Sequence, residues 1–445
     1  MIDTIVIGAG MAGLKAAQQL VALGQSVVVL EAKDRVGGRT RYASVDGHAA
    51  DLGGQWIGAG QDVLRAEAER FGISIYPQYE AGDTVLELFG KQTRFKGLVP
   101  KLPPLALLAL YRLQKRWERE MKTVPQGAPW TAPRAAEWDA MTLESWIVAN
   151  VRTRHAREFA RLVPRGAWAA EARQVSYLWF LDALRGAGGL DYLMGIKGGS
   201  QEAKLTAGMN AVARGLAAEL GERVVLNAPV SRIVQDADGV RVATAKGDYA
   251  ARFLIVAAPP ANCARIAFEP PLPAARDGLH QRMPLGAIIK AVVAYKTPFW
   301  RANGFSGQVA TDDDAVGLVF DDCRDDGTCS LICFIEGRHA LEWSARPREA
   351  RKERVRQSLI RFFGSEAGDI AAYDDNDWLT EPYTHGYVGS MPPGVMTRFG
   401  HALREPIGHI HWAGTETAVE WAGYVEGALR SGIRAAEEVH RRGNG

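Results

Sequence analysis

The stretch Thr4-Ile5-Val6-Ile7-Gly8-Ala9-Gly10-Met11-Ala12-Gly13 decides the fold of this protein. Its first four residues form a short apolar run, which is typical of a strand buried in a parallel sheet. A G-x-G-x-x-G motif follows at once, and then come a helical pattern over 14–23, an apolar run over 26–30 and the acidic Glu31. This order predicts a βαβ unit that binds a dinucleotide.

Each part of this unit has a physical reason. Gly8 permits the tight turn, Gly10 lets the backbone approach a pyrophosphate, and Gly13 allows the helix to pack closely on the strand. The free N–H groups at the start of the helix attract the phosphates. Glu31 follows the glycines by about 20 residues, where its carboxylate can accept hydrogen bonds from ribose hydroxyls.

The composition is that of an ordinary globular protein and excludes several classes. The 445 residues include 53 Lys and Arg against 51 Asp and Glu, so the net charge is +2, and 47% are hydrophobic. These values argue against a disordered chain and against a nucleic-acid binder that depends on a strong positive field. The length predicts about two or three domains. Glycine, with 48 residues, exceeds its average share of roughly 7%.

The few cysteines indicate a reducing compartment. There are four, without C-x-x-C spacing or a His cluster, so neither a metal site nor a disulfide framework is expected: Cys263, Cys323, Cys329 and Cys333. No secretory leader pattern and no apolar stretch of about 18 residues occurs, so we expect a cytoplasmic protein without a transmembrane helix. The basic amphipathic segment 103–122 is compatible with a membrane-surface helix or with packing on its own domain, and we expect the second.

Further stretches carry a resemblance to a known family. Residues 31–39 read E-x-x-x-R-x-G-G-R, residues 51–58 form a second glycine-rich loop, and residues 412–428 read WAGTETAVEWAGYVEGA. Together with Asp377-Trp378 and the segment 381–394, they resemble the flavin-containing monoamine oxidases over essentially the whole chain, in a soluble, bacterial-type form. The resemblance implies FAD as the cofactor.

The resemblance also implies an α/β and α+β fold with two domains. One is a Rossmann-like FAD-binding domain, which we expect from residues 1–76, 206–280 and 380–445. The other is a substrate-binding domain of sheet plus helices, expected from residues 77–205 and 281–379. Apolar strand patterns at 223–226, 230–234, 240–242 and 253–256 fit additions to the cofactor domain.

Site residues follow from the same resemblance. Lys290, alone in an apolar run, would hold a water beside flavin N5, and Tyr387 and Tyr424 would form an aromatic cage around the amine. The residues expected to bind the cofactor are Gly8, Gly10, Gly13, Glu31, Arg35, Gly38, Arg39, Gly54, Gln55, Trp56, Val230, Trp378, Gly414, Thr415, Glu416, Gly423, Tyr424 and Val425. The substrate pocket is expected to contain Met194, Gln201, Leu318 and Phe334.

The activity implied is FAD-dependent oxidation of a primary amine to an imine, which hydrolyses to an aldehyde and ammonia, while O2 is reduced to hydrogen peroxide. Gly386 stands where the membrane-bound animal enzymes carry a cysteine linked to the flavin, so we expect noncovalent FAD. Those enzymes also have a C-terminal membrane helix, whereas this chain ends at Gly445 without one, so no stable membrane anchor is expected. A homodimer is compatible with the resemblance.

Several alternatives stay open. Gln201 is the one hydrogen-bonding side chain among the four pocket candidates, which favours an arylalkyl or aliphatic monoamine over a putrescine-like diamine. The acidic group Asp321, Asp322, Asp325 and Asp326 looks like a solvated hairpin rather than a specificity site. An L-amino-acid oxidase would need an Arg clamp, and region 101–190 is rich in arginine. A non-enzymatic, FAD-stabilised interaction protein would leave Lys290 and both tyrosines without a task.

Overall fold

The computed structural model describes residues 2–97, 99–324 and 326–443 of the chain. The strands are β1 (Ile2–Ile7), β2 (Val27–Leu30), β3 (Tyr42–Val45), β4 (His48–Asp51), β5 (Trp56–Ile57), β6 (Ile75–Pro77), β7 (Asp83–Leu88), β8 (Lys91–Phe95), β9 (Ala203–Leu205), β10 (Val224–Val225), β11 (Val230–Gln235), β12 (Val240–Thr244), β13 (Gly247–Val256), β14 (Ala267–Glu269), β15 (Ile288–Ala294), β16 (Phe305–Thr311), β17 (Val316–Asp321), β18 (Ser330–Glu336), β19 (Ala372–Asp377) and β20 (Ile410–Trp412).

The helices are α1 (Met11–Ala22), α2 (Asp62–Arg70), α3 (Pro104–Met121), α4 (Ala135–Asp139), α5 (Leu143–Asn150), α6 (Arg154–Trp168), α7 (Tyr177–Gly186), α8 (Leu190–Met194), α9 (Asn210–Leu220), α10 (Pro260–Cys263), α11 (Ala274–Arg282), α12 (Phe299–Ala302), α13 (Arg338–Ser344), α14 (Arg348–Phe363), α15 (Val395–Phe399) and α16 (Val425–Gly443). This mixture of helices and sheets agrees with the predicted fold class.

The opening run of the chain forms the middle of an eight-stranded sheet. Its order is β10-β2-β1-β13-β12-β11-β14, with β20 also paired to β13. β1 runs parallel to β2 on one side and to β13 on the other. Ile5 packs into one hydrophobic cluster and Val6 into another, on the two faces of the sheet, and neither has exposed surface. Burial of both faces is why this strand is a continuous apolar run. The four predicted strand patterns lie in β10, β11, β12 and β13, with slightly different ends.

The first helix begins earlier than the sequence pattern indicates. α1 starts at Met11 rather than at residue 14, because extended Gly10 serves as its N-cap. The C-terminal helix α16 crosses α1 very closely, since a Cβ atom on Gly432 would lie 2.3 Å from the Ala12 carbonyl oxygen. The end of the chain is therefore packed against the dinucleotide motif at its beginning.

A second sheet, of seven strands, has the order β19-β15-β18-β17-β16-β7-β8. All seven residues of β15 are buried, including Lys290. A three-stranded sheet, β5-β9-β6, pairs Trp56 with Lys204. The domain boundaries given above stay a prediction. In the described part of the chain, no helix is both long and apolar enough to cross a membrane.

Part of the acidic segment near residue 321 departs from expectation. Asp321 and Asp322 are buried, so a solvated hairpin is the wrong description for them. Asp321 accepts hydrogen bonds from the Trp300 indole and the Arg301 guanidinium, and Asp322 forms a buried ion pair with Lys204 at 2.6 Å. These partners, distant in sequence, offset the cost of burying the carboxylates. Asp326 is exposed, and Asp325 lies outside the described residues.

The basic segment 103–122 forms α3 and does pack one stripe on the protein. Ala106, Leu113 and Trp117 on this helix are buried. Leu105 and Tyr111 are 74% and 59% exposed, so a second apolar stripe faces away from the core. Packing on its own domain is therefore confirmed for only part of the apolar surface of this helix.

Candidate active site

One large cavity, of about 1440 Å³, extends from the dinucleotide motif into the substrate side of the molecule. Its first end is lined by Gly8, Gly10, Glu31 and Val230. Further in, both predicted cage tyrosines line it. Its lining continues to Val99 and Tyr111, which are among the exposed apolar residues of the surface. A cavity of this extent can hold a dinucleotide and a second, smaller molecule.

The first end of the cavity is shaped for phosphate groups. Gly8 has φ +99°, a conformation that favours glycine, and it turns the chain from β1 into α1. No side chain caps the start of α1, and no acidic residue lies in its first turn. The first N–H groups of this helix thus have no side-chain cap, and such groups attract phosphates.

Glu31 closes this end of the cavity. It is buried, and its carboxylate accepts hydrogen bonds from the backbone N–H groups of Ala9 at 2.6 Å and Lys33 at 2.9 Å. Burial nevertheless raises the pKa of Glu31 above its ordinary value. Each carboxylate oxygen has a further lone pair, so the side chain can also accept a hydroxyl from a bound ligand.

The two predicted arginines of the fingerprint have different surroundings. Arg39 lines the cavity and donates two hydrogen bonds to Glu416. Arg35 does not line the cavity, because its guanidinium pairs with Glu381 at 2.6 Å. Lys33 and Arg41 bind the same carboxylate, so Arg35 belongs to a charge cluster beside the site.

The C-terminal motif forms another wall of the cavity. The Thr415 hydroxyl donates to the Tyr424 carbonyl at 2.7 Å and accepts from the Gly423 N–H at 2.8 Å. This pair of bonds positions the start of α16, where Val425 lines the cavity. Gly414 lines it as well, whereas Glu416 lies behind the wall and reaches the site through Arg39.

Gln55 stands between Lys290 and the cavity. The Lys290 ammonium donates to the Gly53 carbonyl at 2.7 Å and, through a very short hydrogen bond, to Oε1 of Gln55. Gly54, Gln55 and Trp56 line the cavity, whereas Lys290 does not. The family resemblance implies that Lys290 holds a water beside flavin N5, and it gave no indication of the contact with Gln55.

Lys290 is held in a buried field of opposite charges. Burial lowers its pKa to about 7, and the negative charges of Asp51 and Asp322 partly oppose this effect. Burial in turn raises the pKa of Asp51 to about 6. Among the described residues no carboxylate lies within ion-pair distance of Lys290, so these charges act on it through space.

The predicted cage tyrosines both line the cavity. Both also pack against one hydrophobic cluster of buried residues, formed largely by helices. Burial raises the pKa values of Tyr387 and Tyr424, so both phenols stay neutral. Two neutral aromatic rings in an apolar wall can bind a cation or orient the lone pair of an amine.

The substrate side shows which pocket candidates come together. Met194, Gln201 and Leu318 line the cavity, but Phe334 does not. Phe334 instead supports the lining from behind, 5.9 Å from Trp56 between ring centroids. Trp378 likewise lies outside the lining, with its indole N–H bound to the Leu52 carbonyl at 2.8 Å.

Sequence reasoning missed Phe320, which lines the cavity and meets Trp56 edge-on at 4.9 Å. Alternation in β17 could have found it, because residues two apart share a face and Leu318 was a candidate. It also missed the residues of α3 and α6 that line the cavity. Helix packing brings these residues to the cavity from region 101–190, which the family resemblance matches poorly: Leu107, Leu110, Leu113, Trp117, Phe159, Leu162 and Val163.

Few charged residues line the cavity in the part of the chain that the structure describes. The arginines among them are Arg39, which is paired with Glu416, and Arg265, which contacts His385. No arginine of region 101–190 lines the cavity. The acidic residues among them are Glu31, at the dinucleotide end, and the exposed Asp191, which accepts a hydrogen bond from Gln114 at 2.8 Å. Between them the described lining is mostly apolar, with neutral polar side chains such as Gln55, Gln201 and Gln308 and no further carboxylate.

A dinucleotide cradle at one end of a cavity and a pair of tyrosines further in define a flavin-dependent oxidase. Residues 11–440 match the sequence pattern of the flavin containing amine oxidoreductase family. The chain belongs to this family. It is 42% identical to the putative flavin-containing monoamine oxidase AofH of Mycobacterium tuberculosis over 98% of this chain and 96% of that protein.

Solved structures agree with this membership. Cyclohexylamine oxidase from Brevibacterium oxydans superposes with a TM-score of 0.95 at 31% identity and covers 100% of both chains. Putrescine oxidase with putrescine bound gives a TM-score of 0.95 at 30% identity over 99% of both chains. The protein is therefore an FAD-dependent amine oxidase with the two-domain fold of these enzymes.

The residues present fit FAD. Glycines line the wall on which a cofactor would lie, including Gly10, Gly38, Gly54 and Gly414. Gln55 is 2% exposed, and its Nε2 atom has no hydrogen-bond partner among the described residues. A group bound in the cavity could accept a hydrogen bond from this donor. No cysteine of the described chain lines the cavity, in agreement with noncovalent binding of FAD.

Proposed function

We propose that the preferred substrate is a primary monoamine with an apolar arylalkyl or aliphatic substituent. The observation that carries this proposal is the charge distribution of the cavity. Its walls are mostly apolar, with neutral polar groups such as Gln201, and among the described residues the one carboxylate on the substrate side is that of the exposed Asp191. Burying a second ammonium group there without a partner would cost several kcal/mol.

The proposed roles of the residues follow from their positions. Gly8, Gly10, Glu31, Arg39, Val230 and Gly414 hold the FAD, and Tyr387 and Tyr424 orient the amine as its neutral base. When bound, FAD would supply the redox chemistry, in which the α-carbon of the amine loses a hydride equivalent and O2 is reduced to hydrogen peroxide. The imine product hydrolyses to an aldehyde and ammonia. The apolar walls exclude water from the reacting carbon.

The alternatives are less well supported. An amino-acid substrate needs a free arginine for its carboxylate, and the two lining arginines of the described chain are engaged with Glu416 and His385. A diamine such as the putrescine of the related oxidase would find no interior carboxylate among the described lining residues. A non-enzymatic role would leave the two half-buried tyrosines beside an FAD site without a purpose.

Anaerobic mixing of the oxidised enzyme with matched amines tests the substrate proposal. Butylamine and putrescine have the same carbon chain and differ by the second amino group. We expect butylamine to bleach the flavin absorbance with an apparent second-order rate constant at least about tenfold higher. Cyclohexylamine and an L-amino acid complete the panel. Faster bleaching by putrescine or by the amino acid would overturn the proposal.

Three further features remain proposals. The small number of cysteines supports a cytoplasmic location. A homodimer is proposed by family resemblance, and sedimentation of the FAD-loaded protein tests it. The division into a cofactor domain (1–76, 206–280 and 380–445) and a substrate domain (77–205 and 281–379) is tested by limited proteolysis, which should cut first near these boundaries.

A further inference from the structure

The hairpin that joins β17 to β18 places two cysteines opposite each other. Its strands stay paired beyond the ends of β17 and β18. The Asp322 N–H donates to the Ser330 carbonyl at 2.8 Å, and the N–H group two residues further along donates to the Thr328 carbonyl at 3.0 Å. Between these two hydrogen-bonded pairs, the register makes Cys323 the residue directly opposite Cys329.

The two cysteines form a non-hydrogen-bonded pair of this hairpin. The Cys329 carbonyl points away from Cys323, because it accepts a hydrogen bond from the Tyr295 N–H at 2.8 Å. In such a pair the Cα atoms are about 4.5 Å apart and the side chains are close together on one face. The clusters agree, since Cys323 belongs to the hydrophobic cluster of Tyr295 and Leu331, and Cys329 packs against it. A disulfide needs Cα atoms about 4.4–6.8 Å apart, so the backbone already suits one.

The other two cysteines lie too far away to compete. Cys333 is on the same face of β18 as Cys329 but four residues further along, which at about 3.3 Å per residue is about 13 Å. Cys263 belongs to a hydrophobic cluster of the eight-stranded sheet. Cysteines with Cα atoms more than about 7 Å apart cannot be bridged without movement of the backbone.

The two thiols differ in their access to solvent. Cys323 is 9% exposed, whereas Cys329 is half-buried. Burial raises the pKa of the Cys323 thiol, and a negative charge on Cys329 contributes to the increase. A buried, protonated thiol is a poor nucleophile. An oxidant that arrives from solvent therefore reacts first with Cys329.

We propose that Cys323 and Cys329 form a disulfide across this hairpin when hydrogen peroxide is present. The Cys329 thiolate attacks one oxygen of the peroxide, the O–O bond breaks, and the released hydroxide takes up the proton lost by the thiol. The Cys323 sulfur then attacks the resulting sulfenic acid, so that the S–S bond forms and the S–O bond breaks. The Cys323 proton leaves with the hydroxide as a second water. Two thiols are thus oxidised, and one peroxide is reduced to two waters.

The oxidant is a product of the enzyme itself, and this part of the inference rests on the proposed function. A sulfenic acid that meets no second thiol is oxidised further to a sulfinic acid, which is irreversible. Cys323 would prevent this damage in a hairpin that also carries Phe320, which lines the cavity, and Asp322, which is paired with Lys204.

Peptide mapping tests the pair, because trypsin cleaves after Arg324, between the two cysteines. The reduced, FAD-loaded protein is treated with hydrogen peroxide, quenched with catalase, alkylated and digested without reductant. We expect a linked pair of peptides about 2 Da lighter than the two thiol peptides together. Two of the four thiols should be lost. Four remaining thiols, a sulfinic acid at Cys329, or a link between two chains would overturn the proposal.

Variants identify the bond and the order of reaction. Cys323→Ala should leave Cys329 to become a sulfinic acid, with a gain of about 32 Da. Cys329→Ala should leave Cys323 as a thiol. Cys333→Ala is the matched control, because this cysteine lies in the same tryptic peptide as Cys329, and it should keep the link. Loss of the link in Cys333→Ala, or its persistence in Cys329→Ala, would refute the assignment. Cys323→Ser replaces Cys323→Ala if the latter does not retain FAD.

A second sample distinguishes this proposal from the proposed function. Oxidation of butylamine should produce the same link without added peroxide, and catalase should prevent it. Because added peroxide decides the disulfide by itself, a protein that forms the link but does not oxidise butylamine contradicts the substrate proposal and supports the cysteine pair. A protein that oxidises butylamine but forms no link with added peroxide does the reverse.

Discussion

Arg39 and Glu416 form a bidentate ion pair, with hydrogen bonds of 2.6 and 2.9 Å across 377 positions of the chain. The Glu416 side chain is 1% exposed. Arg39 also donates to the Tyr387 carbonyl at 2.6 Å, and Glu416 accepts from the Gly389 N–H. One buried pair thus joins the amino-terminal fingerprint, the carboxy-terminal motif and the backbone of a cage tyrosine.

Glu416→Gln should therefore destabilise the protein and weaken FAD binding together. Removing one partner of a buried pair leaves the other charge uncompensated, at a cost of about 3–5 kcal/mol. Chemical unfolding and FAD titration measure the two effects. Glu269→Gln, which breaks the exposed pair with Arg232, is the control and should change neither. A Glu416→Gln variant as stable as the wild type would contradict the structural role of this pair.

The tyrosine rings, rather than their hydroxyl groups, should be required for catalysis. Tyr387→Phe and Tyr424→Phe keep the ring faces, so kcat/KM should stay within a few-fold of the wild type. Tyr387→Ala and Tyr424→Ala remove them and should lower kcat/KM by about tenfold or more. Flavin absorbance checks that FAD is retained. Tyr42→Ala, on the surface outside the cavity, is the control. Equal losses for Phe and Ala would assign the function to the hydroxyls.

A cysteine at position 386 should damage the protein rather than tether the cofactor. Gly386 has φ +149°, and a Cβ atom there would lie 2.5 Å from the Leu285 Cβ atom. Gly386→Cys and Gly386→Ala should therefore lower the melting temperature to a similar degree. Acid precipitation should leave the flavin in the supernatant for the wild type and both variants. Flavin in the pellet of Gly386→Cys would show that the loop can rearrange to bring the thiol to the ring.

Lys290 should make the stability of the protein depend on pH. Its pKa falls from 10.5 when unfolded to about 7 when folded. Between these values the unfolded chain binds the extra proton, so the free energy of unfolding rises with pH by about 1.4 kcal/mol per unit from this group. The contribution of Lys290 to the free energy of unfolding is therefore complete above pH 10.5. It falls as pH is lowered from there and is fully lost once pH is below about 7.

Lys290→Met removes that contribution. The variant should gain stability relative to the wild type as pH is lowered through this interval, measured by denaturant unfolding with FAD in constant excess. Lys246→Met, at an exposed lysine, should show no such trend. A pH-independent difference between Lys290→Met and the wild type would show that Lys290 keeps its ordinary pKa.

Local sequence patterns predicted those parts of the site that lie in a single continuous segment of the chain. The motif from Gly8 to Gly13 and the acidic Glu31 lie in a single βαβ unit, so their spacing alone sets their geometry. The apolar run of β15 likewise indicated a buried strand with one lysine. Alternation in β17 contained the information for Phe320, whereas Leu318 was expected from the family resemblance and not from this pattern.

Contacts between distant segments could not be predicted in this way. Asp321 and Asp322 resemble solvent-exposed turn residues because their partners, Arg301 and Lys204, are not recognisable from the neighbouring sequence. Trp378 and Phe334 were expected at the cavity, but packing places them behind its lining. In each case the burial of a side chain depends on which other elements cover it, and a local pattern does not contain that information.

By itself, the sequence determined the cofactor class, the family and the two ring faces proposed to hold the amine, because these depend on short motifs with fixed spacing. Only the tertiary structure decided that Gln55 stands between Lys290 and the cavity, and that no arginine of region 101–190 reaches the lining. The physical reason is the same for both. Direct access to a ligand depends on how helices and sheets from separate parts of the chain pack, and that packing is a property of the whole fold.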